Sequence, residues 1–278
     1  MDYKTLLVHV DQSHHAPARI RLAAALARAH GAHLVGAAMT GVPRMLFPDG
    51  AWHIPRALAA NYIDPLRDAA LHALDQFDAI VAPLGISHER QLVPDQDGDA
   101  LVAMARYCDL LVIGQYDRAE ALPGRDRKLP EHVALSATAP VLIVPGSWAT
   151  QAIGHAVLVA WNGSVAATQA VHAAVPLLQR AARVCVASFR APLEDQGATP
   201  EDQDAMLAYL RRHGIEGTPV VREHGVDAGH AILELAAESQ CDLIVMGCYG
   251  HSRFRELLLG GASRTILRAA TMPVLMAR

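Results

Sequence analysis

Short apolar runs of strand length alternate with helix-length segments along the whole chain. An apolar run over 5–10 precedes residues 16–30, whose apolar positions recur with helical spacing up to Gly31. A second apolar run follows at 32–39. Near-continuous apolar strands separated by helices are typical of parallel sheets with both faces covered, so the pattern predicts a doubly wound α/β fold.

The second half of the chain shows the same alternation more completely. Predicted helices cover about 165–182, 201–213, 228–240 and 263–270, and predicted strands cover 155–161, 183–189, 218–225, 242–247 and 272–277. The pattern therefore predicts a five-stranded, mostly parallel, Rossmann-like sheet with helices on both faces.

The two halves of the chain repeat each other. The matched segments, in the same order in both halves, are 5–13 with 156–164, 108–118 with 241–251, and 138–145 with 271–278. Such ordered self-similarity predicts two copies of one domain, each with a five-stranded doubly wound sheet. We place these domains at 1–147 and 154–278, on either side of a short linker that contains Pro, Gly and Ser.

The first copy is longer than the second. Cys108 stands 97 positions after Asp11, whereas the corresponding Cys241 stands 79 positions after Asn162. We place the insertion at 41–63, which is rich in Pro and large apolar residues. It is either a lid or contact surface, or a surface loop packed on its own domain.

Composition narrows the class of protein. The chain is 52% hydrophobic and 19% charged, and its net charge of −4 has both signs interspersed, which excludes a basic surface for nucleic acid. No apolar run reaches the roughly 18 residues of a membrane helix, and the N-terminus has no signal-peptide layout, so we expect a cytoplasmic protein. The four cysteines form no CxxC pair and the 15 histidines form no dense ligand motif, so we predict reduced thiols and no metal site.

Glycines cluster where the strand 242–247 ends and where the last helix begins. Gly247 and Gly250 lie at the strand end, and Gly260 and Gly261 precede the helix. Glycine allows a tight turn and a close approach of backbone N–H groups to a ligand, and a helix N-terminus suits phosphate. The alternative is that these glycines serve only turns and a helix cap.

On these motifs the chain resembles tandem members of the universal stress protein family over nearly its whole length. The family's nucleotide-binding members carry Gly-x-x-Gly, nine residues, and then Gly followed by Ser or Thr. Gly247, Gly250 and Gly260 match this pattern. Gly261 stands at the hydroxyl position, and Ser263 retains a hydroxyl two residues later.

The family also has an acidic residue after the first strand, near the nucleoside. This position is Asp11 in the first copy and Asn162 in the second. An asparagine can still accept a hydrogen bond from a ribose hydroxyl. Asn162 and Gly163 would serve equally well as a turn pair and helix cap.

The resemblance implies that the second copy binds ATP or another adenine nucleotide, with Mg²⁺ as an accompanying ion. It places the adenine near the end of the second strand of that copy. The residues predicted to contact the nucleotide are Asn162, Gly163, Ser188, Phe189, Met246, Gly247, Gly250, His251, Arg253, Gly260, Gly261, Ala262 and Ser263. No catalytic residue is predicted.

The first copy departs from the phosphate motif. Asp117 replaces the second glycine, and no glycine pair precedes the final helix of this copy. A carboxylate at this position would repel phosphate. We therefore infer that the first copy has lost the phosphate cradle, and that Asp11 caps its first helix.

Three functions remain open. The first is a stress-response regulator that binds nucleotide in the second copy. In this case the first copy would be a pseudo-domain that pairs with the second through the last strands. Whether the whole chain also forms a homodimer is left open. The second is a slow ATPase or self-phosphorylating protein, although no GxxxxGK[ST] loop is present. The third is a non-nucleotide interaction protein acting through Phe47, Trp52 and Tyr62 of the insertion.

Overall fold

The computed structural model describes residues 2–43, 59–117, 120, 128–149, 152–190, 198–223, 225, 227–248 and 261–278. The chain divides into two compact units, an N-terminal unit at 2–139 and a C-terminal unit at 140–278. No helix within the described ranges is long and apolar enough to cross a membrane.

Four parallel strands form the sheet of the N-terminal unit. The strands and helices are β1 (Thr5–His9), α1 (Ala16–His30), β2 (His33–Met39), α2 (Asp64–Val81), β3 (His88–Val93), α3 (Asp97–Met104), β4 (Leu110–Gly114) and α4 (Leu129–Ser136). The strand order is β3-β2-β1-β4, so β1 lies between β2 and β4. A π-helical turn at Ala59–Ile63 leads into α2.

The C-terminal unit contains the five parallel strands that the sequence predicts, and one strand more. Its elements are β5 (Val141–Val144), β6 (Ala156–Ala160), α5 (Val165–Leu178), β7 (Arg183–Arg190), α6 (Pro200–Arg212), β8 (Gly217–Glu223), α7 (Ala228–Glu238), β9 (Leu243–Gly247), α8 (Ala262–Ala269) and β10 (Val274–Ala277). The order is β5-β10-β9-β6-β7-β8. The predicted α/β fold with a mostly parallel sheet is confirmed.

The additional strand is β5, which the sequence assigns to the end of the first copy. It pairs antiparallel with β10, with Ile143 opposite Val274, and it groups with the C-terminal unit. β5 and β10 are the last strands of the two copies. The domain limits at 147 and 154 stay a prediction.

Capping residues explain where several helices start and stop. α1 ends at Gly31, whose left-handed backbone (φ +61°) lets its N–H reach the carbonyls of Ala27 and Arg28. α6 begins with a reciprocal capping box between Thr199 and Asp202. These ends agree closely with the predicted ones because the signals are local in sequence.

One predicted helix end is wrong. The apolar pattern predicts a helix to Ala182, but α5 ends at Leu178. The Ala182 N–H donates to His155 O, next to β6, instead of continuing the helix. A tertiary hydrogen bond at the entry to β7 thus overrides the helical periodicity.

Candidate functional site

The strand order places a crevice at the carboxyl edge of the C-terminal sheet. β6 lies between β7 and β9, and Ala160 pairs with Met246 at the ends of β6 and β9. Open α/β sheets bind ligands where the strand order reverses in this way. We call the carboxyl ends of β6, β7 and β9 the C-terminal crevice. The fold brings the predicted residues Asn162, Gly163, Met246 and Gly247 to this edge.

Gly247 ends β9 in direct contact with the start of α5. A Cβ atom at this position would lie 2.5 Å from Ala167 N and 2.7 Å from the carbonyl carbon of Ala166. Both neighbours are backbone atoms and cannot move aside cheaply. Gly247 therefore has a packing role that is independent of any ligand.

Asn162 and Gly163 form the turn that joins β6 to α5. The Ser164 N–H and hydroxyl donate to Asn162 Oδ1 at 3.2 and 2.7 Å. Ser164 Oγ in turn accepts from Ala167 N at 3.2 Å and caps α5. Asn162 and Gly163 therefore form the turn, whereas the helix cap is Ser164, and a ribose hydroxyl would share Asn162 Oδ1 with Ser164.

The N-terminal unit repeats the two hydrogen bonds from serine to the residue after the first strand. The Ser13 N–H and hydroxyl donate to Asp11 Oδ1 at 2.9 and 2.6 Å. The expectation that Asp11 caps the first helix is wrong, because α1 starts later, with His15 at its N-cap position and no side-chain cap. The internal repeat thus extends to matching hydrogen bonds.

A buried arginine fills the equivalent place in the N-terminal unit, which we call the N-terminal crevice, at the carboxyl ends of β1 and β4. Arg19 is only 3% exposed; its Nε donates to His9 O at 2.9 Å, and its Nη2 lies 3.0 Å from Asp11 Oδ1. A Cβ atom on Gly114 would collide with the Arg19 guanidinium. Gly114 thus leaves space for the Arg19 side chain, whereas Gly247 in the other copy leaves space for the backbone of Ala166 and Ala167.

Further side chains surround this ion pair. His9 is 2% exposed, and its Nδ1 and Nε2 lie 3.8 Å from Asp11 Oδ2 and 3.7 Å from Asp97 Oδ2. Asp117, which replaces the second glycine of the motif, lies 3.0 Å from His15 Nε2. The N-terminal crevice is therefore lined by the Arg19–Asp11 ion pair and by contacts between histidines and carboxylates.

The predicted adenine-contacting residues lie at the end of β7. Ser188 is buried and Phe189 is partly exposed. Ser188 neighbours Trp161, because Ala160 pairs with Ala187 and the Trp161 N–H donates to Ala187 O at 2.8 Å.

The predicted phosphate-contacting residues Gly261, Ala262 and Ser263 lie at the start of α8. Gly261 occupies the N-cap position without a side-chain cap, and Ser263 is buried. The N-cap residue of α8 therefore has no side-chain oxygen that would compete with a ligand for the backbone N–H groups of the first turn. Such an N-terminus has backbone N–H groups and a partial positive charge that favour an anion.

Asp227 joins the starts of α7 and α8. It is not among the site residues predicted from the sequence. Its carboxylate accepts from Thr265 Oγ1 at 2.5 Å and from Gly229 N at 2.8 Å, and it lies 3.0 Å from His230 Nδ1. Burial raises the pKa of the Asp227 carboxyl, but the hydrogen bonds from Thr265, Gly229 and His230 outweigh it and hold the pKa below its usual range. An ionised Asp227 thus fixes the first turn of α8 against α7.

The rest of the glycine motif lies outside the described residues. This applies to the predicted residues Gly250, His251, Arg253 and Gly260, and also to Phe47 and Trp52 of the insertion. Tyr62 of the insertion is described and exposed.

Neither thiol chemistry nor a metal cluster stands out in the described part of the chain. All four cysteines are reduced thiols, and burial raises the pKa of Cys108 to about 12 and that of Cys185 to about 11. These two thiols are therefore protonated at neutral pH. No group of three or more His, Cys, Asp or Glu side chains within the described ranges is arranged to hold a metal ion.

Comparison with known proteins agrees with this architecture. Residues 155–278, which hold β6 to β10, match the sequence profile of the Universal stress protein family. A universal stress protein of Mycolicibacterium smegmatis is 26% identical over 293 residues, covering 98% of this chain and 96% of that protein. Universal stress protein Slr1230 of Synechocystis is 39% identical over 51 residues, 18% of each chain.

A solved structure shows the same fold over the full length. The crystal structure of a universal stress protein from Archaeoglobus fulgidus matches with a TM-score of 0.74 at 17% identity, covering 99% of this chain and 96% of that chain. Residues 155–278 thus match the Universal stress protein family, and the chain as a whole is similar to a universal stress protein of two-domain length.

Proposed function

We propose that the C-terminal copy binds ATP or another adenine nucleotide and that the chain is a nucleotide-binding stress regulator. The observation that carries this proposal is the position of Gly247. It ends β9 at the C-terminal crevice and opens the Gly-x-x-Gly, nine residues, Gly pattern of the family's nucleotide-binding members.

Each part of a nucleotide has a counterpart in this crevice. Backbone N–H groups at the start of α8, which has no side-chain cap, would take the phosphates, with Mg²⁺ accompanying them. The amide oxygen of Asn162 would accept from a ribose hydroxyl, shared with Ser164. The adenine would lie by Ser188 and Phe189, at the end of β7.

The N-terminal copy would take no part in nucleotide binding. Its crevice already holds the Arg19 guanidinium, and Asp11 is engaged by Arg19 and Ser13. Asp117 adds a negative charge where the family has a glycine. The proposal thus includes one binding copy and one pseudo-domain that pairs with it, as the resemblance implies.

A thermal-shift titration with ATP and Mg²⁺ tests this proposal. We expect the melting temperature of the natural chain to rise with ATP concentration, since ligand at 100 times its Kd stabilises a fold by about 2.7 kcal/mol. Gly250→Asp places a carboxylate in the phosphate cradle, as Asp117 does in the first copy, and should abolish the rise. Gly225→Asp is the matched control, because Gly225 is exposed and has nothing within 4 Å of a built Cβ atom.

Two results would contradict the proposal. One is a melting temperature that ATP leaves unchanged in all three proteins. The other is an equal rise in the natural chain and in Gly250→Asp, which would place the nucleotide elsewhere. Gly225→Asp should respond to ATP as the natural chain does.

A further inference from the structure

The start of α8 has little in its own sequence to hold it in place. The helix has only eight residues, and its N-cap residue, Gly261, makes no side-chain cap. Helices of this length are marginal by themselves, so tertiary contacts decide where they lie. The backbone N–H groups at this start are the ones that would take the phosphates in the proposed function. The contact that holds the start of α8 therefore bears on phosphate binding.

A hydrogen bond ties the start of α8 to α7. Thr265 Oγ1 donates to Asp227 Oδ2 at 2.5 Å, across 38 positions of sequence. Asp227 is the N-cap residue of α7, and its Oδ1 accepts from Gly229 N at 2.8 Å. One oxygen of the carboxylate thus caps α7, while the other holds α8.

The two helix starts also pack closely against each other. A Cβ atom on Gly229 would lie 2.7 Å from Thr265 Cβ and 2.9 Å from Ala262 O, so glycine is needed for this approach. The apolar face of α7 is buried, which makes α7 a fixed base for α8. Asp227, Gly229 and Thr265 together set where the first turn of α8 lies.

The N-terminal unit has the close helix contact with different chemistry. Gly98 of α3 corresponds to Gly229, and its built Cβ atom would lie 2.8 Å from His132 Cδ2 of α4. Gln96 is the N-cap residue of α3, and His132 stands where the repeat places Thr265 in the second copy. Gln96 and His132 cannot form a bond between a carboxylate and a hydroxyl. This bond therefore belongs to the copy that carries the glycine motif.

We propose that Asp227 and Thr265 are positioning residues for phosphate binding at the C-terminal crevice. Their bond holds the first turn of α8 where its N–H groups meet the phosphates, so they act through the helix and not through contact with the nucleotide. A carboxylate acting directly on phosphate would repel it, so the two roles predict effects of opposite sign. This inference rests on the proposed nucleotide function and deepens it, because it names the contact on which phosphate affinity depends.

Thr265→Val is the direct test, with ATP affinity measured by titration calorimetry in the presence of Mg²⁺. Valine keeps the shape of threonine and removes the hydroxyl, and Asp227 keeps its bond from Gly229 N. We expect ATP affinity to fall about three- to tenfold. Thr265→Ser retains the hydroxyl and should bind ATP like the natural chain.

Adenosine distinguishes a displaced phosphate site from a general loss of structure. It has no phosphates, so its affinity, measured by competition with ATP, should be the same for the natural chain and for Thr265→Val. A merely structural bond would behave differently. Its loss would lower the melting temperature of the free protein and leave the affinities for ATP and adenosine unchanged.

Thr138→Val is the matched control. Thr138 Oγ1 donates to Ala105 O at 3.2 Å, which is also a bond between segments distant in sequence, but within the N-terminal unit. The variant removes a comparable hydroxyl away from α7 and α8. We expect it to bind ATP like the natural chain.

Asp227→Ser gives a second variant if Thr265→Val fails to fold. Serine can still cap α7, but it has one oxygen instead of two and no charge, so Thr265 loses its carboxylate partner. If Asp227 acted only as a negative charge near the phosphates, this variant would bind ATP more tightly. We expect its ATP affinity to fall, as in Thr265→Val.

The outcomes separate this inference from the proposed function. Equal ATP affinity of the natural chain and Thr265→Val, or an equal loss of affinity for ATP and adenosine, would overturn the positioning role alone. Tighter ATP binding by Asp227→Ser would do the same. A natural chain that binds no adenine nucleotide would overturn both.

Discussion

Replacing Arg19 with leucine will lower the free energy of unfolding of the chain by about 3 kcal/mol or more. Arg19 is buried and holds both the Asp11 carboxylate and the carbonyl of His9. Leucine fills similar space but leaves the carboxylate without its counter-charge and the carbonyl without its donor. The cost of such an uncompensated charge is larger than the value of the intact pair. Urea unfolding followed by circular dichroism measures the change.

Two further variants show whether the pair is the cause. Arg21→Leu changes an exposed arginine of the same helix and should alter stability by less than about 0.5 kcal/mol. Adding Asp11→Asn to Arg19→Leu removes the uncompensated charge and should restore part of the lost stability. If Arg19→Leu were as stable as Arg21→Leu, the guanidinium would not be an integral part of the N-terminal crevice.

Gly247→Ala should be the most damaging small substitution at the C-terminal crevice. A methyl group would lie 2.5 Å from Ala167 N and 2.7 Å from the Ala166 carbonyl carbon, so β9 and α5 would have to separate. We expect a loss of about 2–3 kcal/mol in the free energy of unfolding, as for other overpacked sites. Urea unfolding again gives the value.

Gly225→Ala is the control for the Gly247 prediction. Gly225 has open space around a built Cβ atom, so the variant should be as stable as the natural chain or slightly more stable. A Gly247→Ala protein that unfolds at the same urea concentration as Gly225→Ala would mean that the end of β9 is not packed as described.

The alternation of apolar and helical segments was sufficient to predict the fold. Strands and helices are local patterns, and the same order of segments occurs twice, so the repeat reinforced each assignment. The capped ends of α1 and α6 were likewise close to the predicted ones. β5 was the exception, because its antiparallel pairing with β10 is a contact between distant segments that periodicity does not encode.

The candidate site could be predicted only where its residues adjoin a strand end. Asn162, Gly163 and Gly247 do lie at strand ends, where Asn162 holds a turn, but their contact with a nucleotide stays a prediction. Asp227 was missed, because its significance lies in a hydrogen bond from Thr265, which is distant in sequence. Such a contact is a tertiary property.

The position of Arg19 in the sequence could have predicted that it is buried and paired. It stands on the apolar face of α1, beside Ala16 and Ile20, where a charged side chain is unusual unless it is paired. The same serine hydrogen bonds follow the first strand of both copies. The N-terminal copy differs in having a buried arginine in its crevice. The two copies thus share a fold and differ in what occupies the ligand position.

Counting bound nucleotides is the most direct test of this difference. Equilibrium dialysis of the natural chain against radiolabelled ATP with Mg²⁺ should saturate at one nucleotide per chain, bound in the C-terminal crevice. Saturation at two would mean that Arg19 does not close the N-terminal crevice. No bound nucleotide would mean that the glycines at the C-terminal crevice serve packing alone, and the nucleotide function would be wrong.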